Sequence, residues 1–218
     1  RGLMMAVYDL EEQEQISELK AWWTQYGNFV VTLAVVAALA SVGWQAWNWY
    51  QGRNAGEAGA LYYAVQQAVE KNEPQKAREA AGRLVSEHGG SVGAQLGALL
   101  SAAMQFESGD LANARAQLEW AADKGSDPAL REVARLRLAA VLLQAGELDA
   151  ALARLQSAPS AAYKARFDDL RGDVLAAQGK VAEARAAYQA AIDALAAVGD
   201  DAVTLREVVR VKLESLGA

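Results

Sequence analysis

The sequence holds no cysteine, one histidine and three prolines in 218 residues. Without cysteine there is no disulfide, no thiol nucleophile and no thiolate site for zinc or iron–sulfur. With His88 alone, a multi-histidine metal site cannot form, and a Ser-His-Asp triad would have to run through that one residue. Basic charge is also short: 21 lysines and arginines face 27 acids, a formal net charge of −6. That balance argues against a partner as acidic as a nucleic acid. Little proline beside abundant alanine reads as a chain that is almost all helix. No catalytic, cofactor-binding or metal-binding residue is expected, and the composition points away from an enzyme.

What is present begins with an apolar run. No charged side chain occurs between Lys20 and Arg53. Inside that gap, residues 29–49 read FVVTLAVVAALASVGWQAWNW, the length of a helix that crosses a bilayer core. Five of the six tryptophans cluster at its two ends. Trp22, Trp23 and Tyr26 precede the run, and Trp44, Trp47 and Trp49 close it, as interfacial anchors do. A buried core helix rarely carries tryptophan at both ends. A cleaved leader would have Ala38-Leu39-Ala40 as its small-x-small site, but the segment ahead is long and acidic rather than short and basic. One retained transmembrane helix over 29–50 is therefore expected. Along it Ala34, Ala37, Ala38 and Ser41 form a face of small residues where a partner helix can pack. The flanking basic residues, Arg1 and Lys20 against Arg53 and Lys71, are nearly even and choose no orientation.

Ahead of the span, Ile16, Leu19, Trp23 and Tyr26 recur at helical spacing with acids opposite. Residues 1–28 are read as a tail with a short amphipathic helix that stops at Gly27, or as an extension of the span itself. After it, residues 51–59 are glycine-rich and polar and read as a hinge.

From residue 60 to 218 the chain repeats. Gly109 is followed by Ala114 at +5, Leu118 at +9 and Ala121 at +12. Gly146 is followed by Ala151, Leu155 and Ala158 at the same offsets, and Gly179 by Ala184, Tyr188 and Ala191. Seven residues before the glycines stand Ala102, Ala139 and Gly172. A weaker copy centres on Asn72, with Val65, Ala77, Ala81 and Leu84. This is the small/large pattern of the tetratricopeptide repeat: helix, tight turn, helix, with small residues where helices approach closely. Pro128 and Pro159 close units, and the consensus tryptophan and proline positions are mostly empty, so an irregular all-α solenoid is expected. Residues 203–216 form a last amphipathic helix, capped by Asp200 or Asp201, whose buried stripe would be Leu205, Val208, Val209, Leu213 and Leu216.

Chemistry-bearing groups are sparse in this part. His88 falls at a helix end, where the dipole favours it. Gly89-Gly90-Ser91-Val92-Gly93 lacks the ending of a phosphate loop and reads as a helix–helix turn. Asp168-Asp169 and Asp200-Asp201 read as caps or solvated acids. Arg131 and Arg135 share a helix face beside Arg137, and lie either in solvent or along a binding groove.

The segments MAVYDLEEQEQ, LKAWWTQYGN and GWQAWNWY, followed by an irregular repeat domain, resemble the ancillary SecYEG translocon subunit family of bacterial inner membranes. The resemblance implies a cytoplasmic N-terminus, a periplasmic repeat domain, and association with the Sec translocon and a membrane-anchored periplasmic PpiD-type chaperone. It implies no catalytic residue. A solenoid of helix pairs offers extended surface for polypeptide rather than reactive groups, which agrees. The alternative is an adaptor of another inner-membrane complex, for division or envelope assembly, with its repeats facing the cytoplasm.

Overall fold

In a computed structural model, residues 3–157, 159–197 and 202–217 are described; of 3–15, 50 and 51 only the backbone is. Helix is the only regular structure among them: α1 (Leu3–Glu70), α2 (Pro74–His88), α3 (Val92–Glu107), α4 (Leu111–Lys124), α5 (Pro128–Gln144), α6 (Leu148–Arg154), α7 (Ala161–Ala177), α8 (Val181–Ala196) and α9 (Val203–Ser215). The chain divides into two units, residues 1–54 and 55–218.

The first unit lies within α1. Helical backbone runs through Gly27, so the expected stop is absent and the leading segment continues the apolar helix. Glycine lowers helix propensity by only about 1 kcal/mol, too little to break a helix that long. Helical backbone also covers residues 51–59. The expected hinge is therefore replaced by helix, although Gly52, Gly56 and Gly59 each lower its propensity by about 1 kcal/mol. From Ile16 onward α1 is long and apolar enough to cross a membrane.

The second unit is a stack of helix pairs: the end of α1 with α2, α3 with α4, α5 with α6, and α7 with α8, followed by α9. Each pair turns on one residue with positive φ: Asn72 (55°), Gly109 (82°), Gly146 (77°) and Gly179 (72°). Such backbone costs a side chain dearly, and only Gly and Asn adopt it readily. Every turn closes with the same two hydrogen bonds. At the second, Gly109 N donates to Phe106 O (3.0 Å) and Asp110 N to Gln105 O (2.8 Å). Glu73, Glu147 and Lys180 make the bond equivalent to that of Asp110, to Ala68, Leu142 and Leu175. This pairing satisfies carbonyls that a helix end would otherwise leave bare. Pro74 and Pro128 open α2 and α5, where a missing N–H costs nothing. Ser91 caps α3 by accepting from Ala94 N, so the glycine run at 89–93 is a capped helix–helix turn.

One core cluster joins α3 through α7 around Leu118, Leu138, Leu142, Leu155 and Phe167. A second joins α7, α8 and α9 around Tyr188 and Val209, and a third joins α1, α2 and α3 around Val65 and Leu84. Two buried glutamines tie pairs together. Gln95 Nε2 donates to Ala121 O (3.0 Å) and Asp127 O (3.2 Å), while its Oε1 accepts from Asp127 N (2.9 Å). Gln105 Nε2 donates to Pro74 O (2.7 Å). Gln95 thereby pairs both backbone groups of Asp127 in the turn between α4 and α5.

Candidate functional site

The described alanines of the repeat pattern lie where helices meet. Ala114, Ala121, Ala151, Ala184 and Ala191 are completely buried, and Ala77, Ala102 and Ala139 nearly or wholly so. Ala158, Asp200 and Asp201 lie outside the described residues. The larger partners Leu118, Leu155 and Tyr188 are buried as well. Gly172 is packed so closely that a Cβ there would stand 2.5 Å from Tyr188 Cδ1 and closer still to Cε1.

The first helices of the pairs share a surface that the repeat register lays out. On α5 and α7 it is lined from positions −13, −10, −9 and −6 counted from the turn residue. On α5 these include Leu136, Arg137 and Ala140; on α7 they are Arg166, Asp169, Leu170 and Asp173. Together with Thr204, Leu205 and Val208 of α9 they enclose a groove of about 580 Å³. A smaller hollow of about 180 Å³ adjoins it, sharing Arg137 and Ala140 and reaching Ala103, Phe106 and Glu107 of α3. Val208, expected in the buried stripe of α9, is half exposed in this groove. Val209 beside it is fully buried. Leu205, Val209, Leu213 and Leu216 pack against the second cluster as expected, and Val208 is the member of the stripe that turns out of it.

Charge in the groove is unevenly matched. Lys212 Nζ donates to Asp169 Oδ1 (2.8 Å) and Asp173 Oδ2 (2.9 Å), fixing α9 to α7. Tyr188 OH donates to the other oxygen of Asp173 (2.8 Å), and its ring lies under Lys212 at 5.9 Å. Burial pushes the Asp169 carboxyl up, with Lys212 pulling the other way. Burial works to lower Lys212, but its hydrogen bonds to Asp169 and Asp173 outweigh it and hold the ammonium above its usual value. The Tyr188 phenol is pushed well up by burial and by Asp173. Asp168, next in sequence, points elsewhere: it is buried between Lys164 and Arg171, whose Nη2 reaches Leu155 O. Neither acid caps a helix or stands in solvent, because each has been drawn into a charged pair at a helix seam.

Of the three neighbouring arginines, the groove takes Arg137, not the pair Arg131 and Arg135. Arg137 Nη1 touches Leu99 O at 3.3 Å and has no carboxylate within ion-pair distance among the described residues. The signal that finds it is the turn register: Tyr63, Leu100, Arg137 and Leu170 occupy the same −9 position. His88 is buried in the last turn of α2. Among the described residues no group of three or more acids or histidines could hold a metal ion.

On α1, Ala34, Ala37, Ala38 and Ser41 recur along one face, all exposed. Trp22, Trp23, Tyr26, Trp44, Trp47 and Trp49 are exposed at its two aromatic ends. Trp22 contacts Tyr26 and Trp23, with ring centroids 5.9 and 6.4 Å away. Arg53 lies over the Trp49 ring at 5.8 Å.

A family model described as a tetratricopeptide repeat-like domain matches residues 20–218. An ancillary SecYEG translocon subunit of Neisseria gonorrhoeae is 31% identical over 95% of this chain and 98% of its own length. That of Escherichia coli K12 is 30% identical over 97% and 99%. The chain belongs to the ancillary SecYEG translocon subunit family. The member from Haemophilus influenzae is 28% identical over 84% of the chain. Among solved structures, MamA 41-end from Desulfovibrio magneticus RS-1 superposes with a TM-score of 0.53 over 74% of this chain and 95% of its own, at 17% identity. It shares the fold of the repeat domain.

Proposed function

We propose that the protein is a non-catalytic, membrane-anchored accessory of the Sec translocon. In this reading it spans the bacterial inner membrane once through residues 29–50, with its N-terminus in the cytoplasm and its repeat domain in the periplasm. The repeat groove holds segments of newly translocated chains or of a membrane-anchored PpiD-type chaperone. The supporting observation is that similarity to the translocon subunits extends over nearly the whole chain, apolar helix and repeats together. A tethered binding surface works by effective concentration: a weak site held at the translocon exit is filled where a free one would not be. The small-residue face of the span is where a translocon helix would pack.

The test is protease digestion of a C-terminal tag in intact cells, spheroplasts and lysed membranes, paired with photocrosslinking from Ala37. Digestion on opening the outer membrane, with crosslinks to translocon subunits, is expected. Protection until lysis would overturn the reading in favour of a cytoplasm-facing adaptor. Full function from a repeat domain freed of its anchor would overturn the tethering mechanism.

A further inference from the structure

We propose that the groove between α5, α7 and α9 selects aliphatic polypeptide segments that carry an acidic side chain, with Arg137 and Arg166 as the groups that read the carboxylate. The proposal rests on the reading that the repeat domain binds polypeptide, and adds which polypeptide.

Leu136, Ala140, Leu170, Leu205 and Val208 give the groove its apolar lining. Val208 is 48% exposed there, an aliphatic surface open to an incoming chain. Such lining takes aliphatic side chains from an incoming segment.

Charge decides the rest. The two aspartates of the groove are already engaged: Asp169 by Lys212, and Asp173 on both oxygens by Lys212 and Tyr188. They draw one cation from α9 and have little left to offer an incoming cation. Arg137 and Arg166 are exposed and, among the described residues, neither has a carboxylate within ion-pair distance. Glu107 lies at the far end of the adjoining hollow and does not reach Arg137. The unspent capacity of the groove is therefore that of donors, two guanidiniums on facing helices. A guanidinium fork matches a carboxylate in two parallel hydrogen bonds. An aliphatic segment with lysine would meet the two arginines as like charge, beside aspartates already held by Lys212 and Tyr188, which discriminates against it.

The experiment uses the full chain in lipid nanodiscs and fluorescence anisotropy of three short labelled peptides: alternating leucine and glutamate, alternating leucine and lysine, and alternating serine and glutamate. The leucine–glutamate peptide is expected to bind, and the other two at least about tenfold more weakly, the scale of one charge-assisted hydrogen bond or a few buried methylenes. Arg137→Gln with Arg166→Gln is expected to weaken the leucine–glutamate peptide about tenfold. Val208→Asp, which touches neither arginine but sets a carboxylate in the groove, is expected to do the same. Far-UV ellipticity monitors folding of each variant. Equal binding of the leucine–lysine peptide, unchanged affinity in both variants, or no binding of the leucine–glutamate peptide would each overturn the proposal. None of these outcomes touches the translocon crosslinks from Ala37, which decide the broader reading separately.

Discussion

The outer helix pairs and the inner ones solve the same packing problem with different residues. In the second and third pairs, alanine at −7 meets leucine at +9: Ala102 with Leu118, Ala139 with Leu155. In the fourth pair the sizes move apart, glycine at −7 and tyrosine at +9. In the first they reverse, Val65 at −7 and Ala81 at +9, and the large residue shifts to Leu84 at +12. Both departures come with a glycine placed to receive the larger side chain: Gly172 lies against the Tyr188 ring and Gly97 against Leu84 Cδ1. Close packing of a repeat seam therefore conserves summed volume rather than residue type. That is why the consensus is thin in this chain while the fold is intact.

The strongest break of the comparison is at the first pair. Leu84 is fully buried above a residue with no side chain, so Leu84→Ala leaves a cavity with nothing able to fill it. A loss of about 3–4 kcal/mol is expected in chemical denaturation of the full chain in micelles. Gly97→Ala alone forces Leu84 Cδ1 away from 2.7 Å. Added to Leu84→Ala, it should instead recover part of the loss, since its methyl enters the vacated space. If the two substitutions simply add, the glycine is not a seat for the leucine and volume matching fails at this pair.

At the fourth pair the obstacle is a buried ring rather than the tip of an aliphatic chain. Gly172→Ala should cost about 2–3 kcal/mol through overpacking. Gly172→Ala with Tyr188→Leu recreates the Ala139–Leu155 seam and should regain much of it, less the hydrogen bond from Tyr188 to Asp173. A double variant no better than Gly172→Ala alone would show that the seam is held by the ring's hydrogen bond and not by its volume.

The turns were the most legible feature of the sequence. Asn72, Gly109, Gly146 and Gly179 were picked out by spacing alone, and they are the positive-φ residues among those described. A turn that needs one backbone conformation admits one or two residue types, so the signal is local and strong. The groove was less legible, because its residues are set by register and not by type: leucine, arginine and tyrosine share the −9 position. The buried Gln95 and Gln105 carried no local signal, since their partners lie 26–32 residues away. Asp169 reads as a solvated or capping acid for the same reason: the cation that meets it comes from α9, 43 residues on.

The residue after each turn offers the smallest test, where four equivalent positions differ in one hydrogen bond. Glu73, Asp110, Glu147 and Lys180 all precede the second helix of a pair. Asp110 alone caps it, accepting from Asn113 N at 3.2 Å and from Asn113 Nδ2 at 2.6 Å. These hydrogen bonds, the side-chain one foremost, hold the Asp110 carboxyl below its ordinary value of 3.8. A carboxyl depressed in the folded state stabilises the fold at pH above its unfolded value, and that contribution is lost as pH falls through the folded one. Acid should therefore weaken the second pair through Asp110. Asp110→Asn keeps a capping oxygen but cannot titrate. The variant should be slightly less stable than the parent near neutral pH and lose less of its stability below pH 3.8, the difference being small because the site is solvent-screened. Parallel loss in both proteins would show that Asp110 does not carry the acid sensitivity of the repeats.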